Sequence, residues 1–453
     1  TMVGTHINRN ITWAEQAGPF MTYLARNSFM LQQGRFVADL AYLLDEGAPS
    51  TMPIWGTGLI PAPPEGYDYD YINADVLLNR MSVSEDGKLL LPDGMSYSVL
   101  VLPNSGRMTF HVLKKINELV KAGATVIGPK PVTTPGYSGI PGTDQAFSDI
   151  VDELWADLDG ISRTKRMAGK GRIFWGTPVS VVLNNLGIYP DLEYSRKLDL
   201  KIDWIHRKAG DADFWFLVNS SEKHFDTEFR FRIKGMEPEI WDPLTGTLSE
   251  CRYSIEDKGT VVPLSLEAGK SLFVVFRKKA VSNEKPGEKS VIEQLTAIAG
   301  PWEVSFPAGA GAPEKAVFSN LQSWTANEDE GIKYFSGTAV YKNTVKVPGA
   351  WLKSGVKLYL DLGNVADMAE VTVNGNNAGL LWTSPFRTDV SGLLKKGVNV
   401  IEIRITNQWT NRLIGDQKAP AANKVLNSQV MVWGRNPVES GLLGPVTILK
   451  STE

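Results

Sequence analysis

The chain has one cysteine, Cys251, among 453 residues. That excludes an internal disulfide and any zinc site built from several cysteines. No apolar run reaches the ~18–20 residues of a membrane-spanning helix. No basic excess is present either, with a net charge of −3 and a pI near 6.0. A nucleic-acid binder would carry a basic stripe, so nucleic acid and membrane are both set aside as partners. A start methionine is lacking, and no secretory leader pattern is visible from Thr1 onward. What is present is ordinary for soluble globular chains: 43% hydrophobic and 21% charged residues. The length is too great for one core and predicts about three domains. Thirteen tryptophans and thirteen tyrosines are many. Aromatic faces stack well on sugar rings, although most of these residues are expected in the cores of β-domains.

The opening residues set the first expectation. Met2 to Ile7 is strand-like, and Asn8-Arg9-Asn10 follows. A long amphipathic helix is then predicted from about Thr12 to Gln33, with Ala17, Phe20, Met21, Leu24, Phe29, Met30 and Leu31 as its apolar residues. One strand and one helix cannot bury both their faces alone. Residues 1–34 therefore read as the last strand-loop-helix step of a (β/α) barrel, whose other ~250 residues lie outside this sequence.

Residues 35–190 alternate strand and helix. Strands are predicted at Val37–Leu44, Tyr97–Pro103, Ala124–Gly128 and Arg172–Trp175. Helices are predicted at Asp75–Met81, Thr109–Lys121 (stopped by Gly123), Phe147–Trp155 and Val179–Leu186. Such alternation predicts a mostly parallel, doubly wound α/β domain of the flavodoxin-like kind. Between residues 191 and 279 the period changes to two, as in Phe214–Asn219, Glu228–Ile233 and Ser271–Phe276, and a small β-sandwich is expected. Residues 280–298, charged and containing Lys285-Pro286-Gly287, read as a linker. Residues 299–453 form a second all-β unit, with a hairpin signal at Asn374-Gly375 and clean alternation over Asn399–Asn407. A jelly roll of about eight strands fits this part, so the whole is a multidomain α/β plus all-β chain.

At this point a family resemblance can be stated. The opening GTHINRNITWAEQAGPFMTYLARNSFMLQQGRFVADLAYLL resembles the late catalytic-domain segment of glycoside hydrolase family 106, the α-L-rhamnosidases. PEGYDYDYINADVLLNRMSV with MSYSVLVLP resembles the amidotransferase-like domain that trails the barrel in these enzymes and in family 42 β-galactosidases. YFSGTAVYKNTVKVP, the stretch from LDLGNVADMAEVTVNG to NQWTNRLIGD, and SGLLGPVTI look like the galactose-binding-like jelly roll of family 2 hydrolases in its family 106 form. The resemblance implies removal of terminal α-L-rhamnose from plant glycans or glycosides by inversion, calcium in the catalytic domain, and a periplasmic or secreted location. Inversion needs two carboxyls roughly 6.5–9.5 Å apart. The family's catalytic glutamates are expected upstream of Thr1, so no catalytic residue is assigned here.

Loops after barrel strands face the substrate, which makes His6, Asn8, Arg9, Asn10 and Trp13 candidate sugar contacts. The structural alternative is that Asn8 and Asn10 cap the next helix and Trp13 packs in the rim. Glu15 is the one carboxylate near this loop, and a first-turn position on the helix dipole accounts for it. The turn Pro103-Asn104-Ser105-Gly106 lacks an amidotransferase cysteine, and Ser105 has no histidine base, so this domain reads as scaffold or oligomer contact. Asp68, Asp70 and Asp75 could offer oxygens to calcium, but helix capping by Asn73 or Asp70 is favoured over a site needing six or more ligands. Trp382, Phe386, Arg387, Trp409, Asn411, Arg412 and Asp416 suit either a sugar site on the rim, with Trp382 as its plate, or a network holding the domain to the barrel. Asn374 and Gly375 read as turn residues only. Two functions remain: a piece of a rhamnosidase, and a non-catalytic carbohydrate-binding or scaffold protein. Residues 1–34 favour the first.

Overall fold

The computed structural model describes residues 7–47, 52, 58–135, 143–195, 200–287, 291–428, 432 and 434–452. The strand expected at Met2–Ile7 falls almost wholly outside them.

The predicted Thr12–Gln33 helix is shorter and broken. A 3-10 turn covers Ala14–Gln16, and helix α1 runs Gly18–Leu31. Pro19 is the reason: it has no N–H to donate backwards and disfavours a helical residue before it, so a regular helix can begin there but not pass through. Met30 and Leu31 of α1 pack on Phe214, Phe273 and Val275 of an all-β sheet. Tyr23 Oη lies 2.8 Å from Ser271 Oγ, and Arg26 donates to the carbonyls of Pro243 and Leu244. Three apolar side chains of α1 are exposed, Met21, Leu24 and Phe29 by 38%, 39% and 66%, with Phe29 at the rim of a groove against Trp241, Leu248 and Phe273.

A six-stranded mixed sheet follows, in the order Tyr69–Ile72, Leu40–Leu43, Val99–Val101, Thr125–Ile127, Gly171–Phe174 and Lys165–Ala168. All pairings are parallel except the last, a hairpin. Helices α2 (Ala74–Arg80), α3 (Phe110–Ala122) and α4 (Thr143–Leu154) precede α5 (Val179–Asn185). Residues of α2, α3 and α4 bury Leu77, Val112, Ile116 and Val151 in one cluster with Leu100 and Val126 of the sheet. Val179, Val182 and Leu183 of α5 close a second cluster with Leu40, Val99 and Val101. Alternate residues of neighbouring strands thus enter different clusters, which is why these strands are continuous apolar runs rather than alternating ones. The strand predicted at Val37–Leu44 is confined to Leu40–Leu43, while Arg35–Phe36 crosses to the next unit and pairs with Ile202–Ala209.

Two sheets packed face to face make that unit. One contains Arg35–Phe36, Ile202–Ala209, Ala212–Asn219, Ser271–Lys279, Met236–Trp241 and Leu248–Glu250. The other contains Leu192–Tyr194, Phe225–Phe231, Gly259–Leu266, Tyr253–Glu256 and Glu284–Lys285. Trp215, Leu217, Phe229, Phe231, Val262 and Phe276 fill the space between them. The final unit also pairs two sheets, of four and six strands, around Trp302, Tyr341, Leu360, Val371, Ile403 and Ile448. Residues 280–298 are not a plain linker. Glu284–Lys285 pairs with Tyr253–Glu256, and Val291–Ala297 is the edge strand beside Thr447–Thr452. Charged residues sit there because an edge strand has one side open to water.

A buried charged joint ties the mixed sheet to the first all-β unit. Asp39, just before Leu40–Leu43, accepts from Arg232 at 2.9 Å, and Arg232 also reaches Asp191 at 3.3 Å. Asp191 accepts from His206 Nδ1 at 2.8 Å and from Trp215 Nε1 at 3.2 Å. His206 Nε2 meets Asp213 at 3.1 Å, and the imidazole stacks on Trp215 with centroids 3.7 Å apart.

Candidate functional site

The segment 7–17 is held at both ends of its loop. Asn8 Oδ1 accepts from the Asn10 backbone N–H at 2.8 Å, and Ile11 N–H reaches Asn8 O at 3.2 Å. Asn8 therefore closes a local turn; it does not cap α1, which begins ten residues later. Asn10 O accepts from Trp409 Nε1 at 2.6 Å, a bond between the two ends of the sequence. Arg9 is exposed beside it.

Trp13 stands edge-on to Phe20 at 5.8 Å, Phe20 edge-on to Trp382 at 5.2 Å, and Trp382 lies 5.2 Å from Tyr23. Two of the tryptophans singled out in the sequence are thus brought into one aromatic seam, through a helix residue between them. Such edge-to-face contacts align the positive rim of one ring with the negative face of the next. The seam joins α1 to the loop after Asn376–Leu381 of the last unit. Its polar edge is incomplete: Trp382 Nε1, Thr12 Oγ1 and both amide atoms of Gln16 are buried without a hydrogen-bond partner among the described residues. Glu15 is exposed in the 3-10 turn rather than in the first turn of the long helix. His6 lies outside the described residues.

Arg387, Asn411, Arg412 and Asp416 do not converge here. Arg387 donates to Asp361 through Nε and Nη2, at 2.9 and 2.7 Å. Buried Arg412 pairs with Asp416 at 3.1 Å, and Asp416 accepts the backbone N–H groups of Val425 and Leu426. Asn411 donates to Val438 O and Ser440 Oγ. The last all-β unit carries two helices, α6 (Glu330–Lys333) and α7 (Thr410–Lys418), and these groups of α7 fasten the segment that follows it to the domain. Asn374 is more than a turn residue. Its φ of 53° suits the hairpin, and its amide also donates to Asn399 Oδ1 and Leu393 O while its Oδ1 accepts from Val400 N–H.

Among the residues described no three His, Cys, Asp or Glu side chains gather to hold a metal ion. Asp68 accepts from Tyr69 N–H, Asp70 from Tyr97 Oη, and Asp75 from Asn79, while Asn73 caps α2 through Val76 N–H. Ser105 meets Asp45 at 3.2 Å, and His111 is exposed on α3. Burial pushes the Cys251 thiol up to about 12, which removes it as a nucleophile. The buried joint around His206 was not singled out in the sequence. The available signal was register: His206 shares the inward-facing set with Ile202, where a polar residue needs partners.

Comparison with known proteins agrees with this architecture. The family profile of glycoside hydrolase family 106, alpha-L-rhamnosidase, matches residues 1–255. A rhamnosidase structure from Novosphingobium sp. PP1Y superposes with a TM-score of 0.87 and 34% identity, covering 99% of this chain and 42% of that one. A curated protein of Formosa agariphila, carrying a provisional beta-glucuronidase name, is 26% identical over 92% of this chain and 53% of its own length. The chain therefore spans about half of these relatives. With more than half of its residues matched by the profile, the chain belongs to glycoside hydrolase family 106, the alpha-L-rhamnosidase family.

Proposed function

We propose that this chain is the trailing part of an inverting α-L-rhamnosidase that removes terminal rhamnose from plant glycans or glycosides outside the cytoplasm. The observation that carries the reading is 34% identity to the Novosphingobium rhamnosidase over 99% of the chain. In this reading residues 1–34 close a catalytic barrel, the mixed α/β unit is an amidotransferase-like scaffold, and the last unit is a jelly roll buttressing the barrel. The general acid and the water-activating carboxylate, together with calcium, belong to the part of the family this chain does not span. The exposed Met21–Leu24–Phe29 face of α1 supports it, because a barrel covers its helices on the strand side. Asn8, Arg9, Trp13 and Trp382 then border the substrate entrance.

The test begins with the codons preceding Thr1. An in-frame extension of several hundred codons is expected, and the extended protein should hydrolyse an aryl α-L-rhamnoside but not an aryl β-D-glucuronide. Proton NMR of the first turnovers should show rhamnose released with inverted anomeric configuration. Cleavage of the glucuronide alone would overturn the substrate assignment. Turnover by the present chain that vanishes in Glu15→Gln would overturn the placement of the carboxylates. A stop codon directly upstream would leave a non-catalytic scaffold as the correct description.

A further inference from the structure

A cavity of about 520 Å³ lies between the 9–19 segment and the six-stranded sheet of the last unit. That volume is within the ~300–1,000 Å³ of small-ligand sites. One wall carries Arg9 and Glu15, both exposed and without an ion-pair partner among the described residues. The facing wall carries Glu370 and Arg404, directly opposite each other on Met368–Val373 and Gly397–Thr406. Their side chains meet at 3.3 Å. Ile11, Pro19 and Leu380 supply an apolar side, while Thr12 and Gln16, whose buried polar atoms lack partners, belong to the same lining.

We propose that this cavity binds an uncharged sugar residue, the one to which the departing rhamnose is attached. The assignment of the sugar as the leaving-group residue rests on the rhamnosidase reading; the neutral-sugar chemistry does not. Two guanidinium and two carboxylate groups balance, so by net charge the lining favours neither an anion nor a cation. Planar forks of donors and acceptors match vicinal hydroxyl groups. The apolar side suits the C–H face of a pyranose ring. The two walls come from segments far apart in the sequence, and the ring contacts from Trp13 through Phe20 to Trp382 tie them together.

Calorimetric titration of the purified chain would use three probes: an α-L-rhamnosyl-glucose disaccharide, methyl α-L-rhamnoside and glucuronate. The disaccharide should bind with a Kd of about 1 mM, an affinity fit for a single subsite, and the other two at least tenfold more weakly. Arg404→Ala and Arg9→Ala, on opposite walls, should each weaken the disaccharide at least fivefold with an unchanged melting temperature. No disaccharide binding at about 10 mM, equal affinity in both variants, or tighter glucuronate binding would each overturn the subsite. Those failures leave aryl-rhamnoside hydrolysis by the extended protein untouched. Conversely, intact disaccharide binding with no rhamnoside hydrolysis would sink the rhamnosidase reading alone.

Discussion

His206 sits between two carboxylates and under an indole, and its protonation decides what that joint contributes. Burial by itself would lower the imidazole's pKa, but Asp191 and Asp213 more than offset it and hold it above the ordinary value. The folded pKa therefore exceeds the unfolded one near 6.5, so the contribution is complete below that pH and is lost as pH rises through the folded value. Asp213 works in the opposite window: burial raises it, His206 and Lys208 outweigh burial, and its lowered pKa adds stability that disappears under acid. Replacing His206 by Gln removes the cation that Asp191 and Asp213 share, leaving them only Arg232 and Lys208, and should cost roughly 3 kcal/mol near neutral pH. In urea melts that deficit should shrink as pH rises through the native imidazole's raised pKa; a deficit independent of pH would contradict the charged form. Asp68 is the opposite case. Burial, with Asp191, Asp70 and Asp39 nearby, pushes its pKa up to about 6, so the folded state holds an unwelcome charge at neutral pH. Asp68→Asn keeps the oxygen that accepts from Tyr69 N–H and should stabilise the protein by about 1–2 kcal/mol at pH 7 after allowing for screening. The gain should fade toward pH 4, where Asp68 is protonated in the fold; chemical denaturation at both pH values reads it directly.

Single elements depend on a few side chains that replace missing backbone bonds. Asn399 is fully buried; its amide donates to Lys395 O and Gly397 O, and its Oδ1 accepts from Lys395 N–H and Asn374 Nδ2. Asn399→Ala strands several of these groups at once and should cost about 2–4 kcal/mol, with the loss visible as a lower urea midpoint at constant slope. An unchanged midpoint would mean that water replaces the amide. The hairpin itself was legible, because Asn374-Gly375 between alternating strands leaves few other conformations. Helix α3 was equally legible: Thr109 caps it and Gly123, at φ 135°, ends it. Less legible was whatever depended on partners distant in sequence. The break in the first helix was written in Gly18-Pro19, but the apolar period on both sides concealed it. Arg35–Phe36 has no strand signal of its own and is extended because Arg207 and Lys208 offer it an edge. Residues 280–298 have the composition of a linker, and only their pairing across the sheet makes them strands.

At the scale of the whole molecule, the N-terminal segment bridges the first and the last all-β units. Trp13 and Trp382 could each be chosen from the sequence as candidate sugar plates, yet 369 positions separate them, and no local pattern says that Phe20 would join them. Glu370 and Arg404 were harder still: outward-facing charges on alternating strands look like solvated surface until another segment is laid across them. Helix α1 is buried along one side by Phe214, Phe273 and Val275, and left open along the other. Met21 and Leu24 lie on that open side, and Phe29 at its edge shares a groove with Leu248, itself 56% exposed. An apolar stripe of this kind is kept out of water by a partner or by association. The chain by itself should therefore associate with itself in sedimentation velocity at concentrations on the order of 100 μM, and more strongly with added sulfate, which strengthens apolar burial. Changing Met21, Leu24 and Phe29 together to Gln should give a single monomeric boundary. The melting temperature should change little, because exposed substitutions are usually within about 0.5 kcal/mol each. A monomeric wild-type chain would show that this face tolerates water and needs no covering. Dissociation accompanied by a large fall in melting temperature would instead place these side chains in the core that α1 shares with the β-sheet.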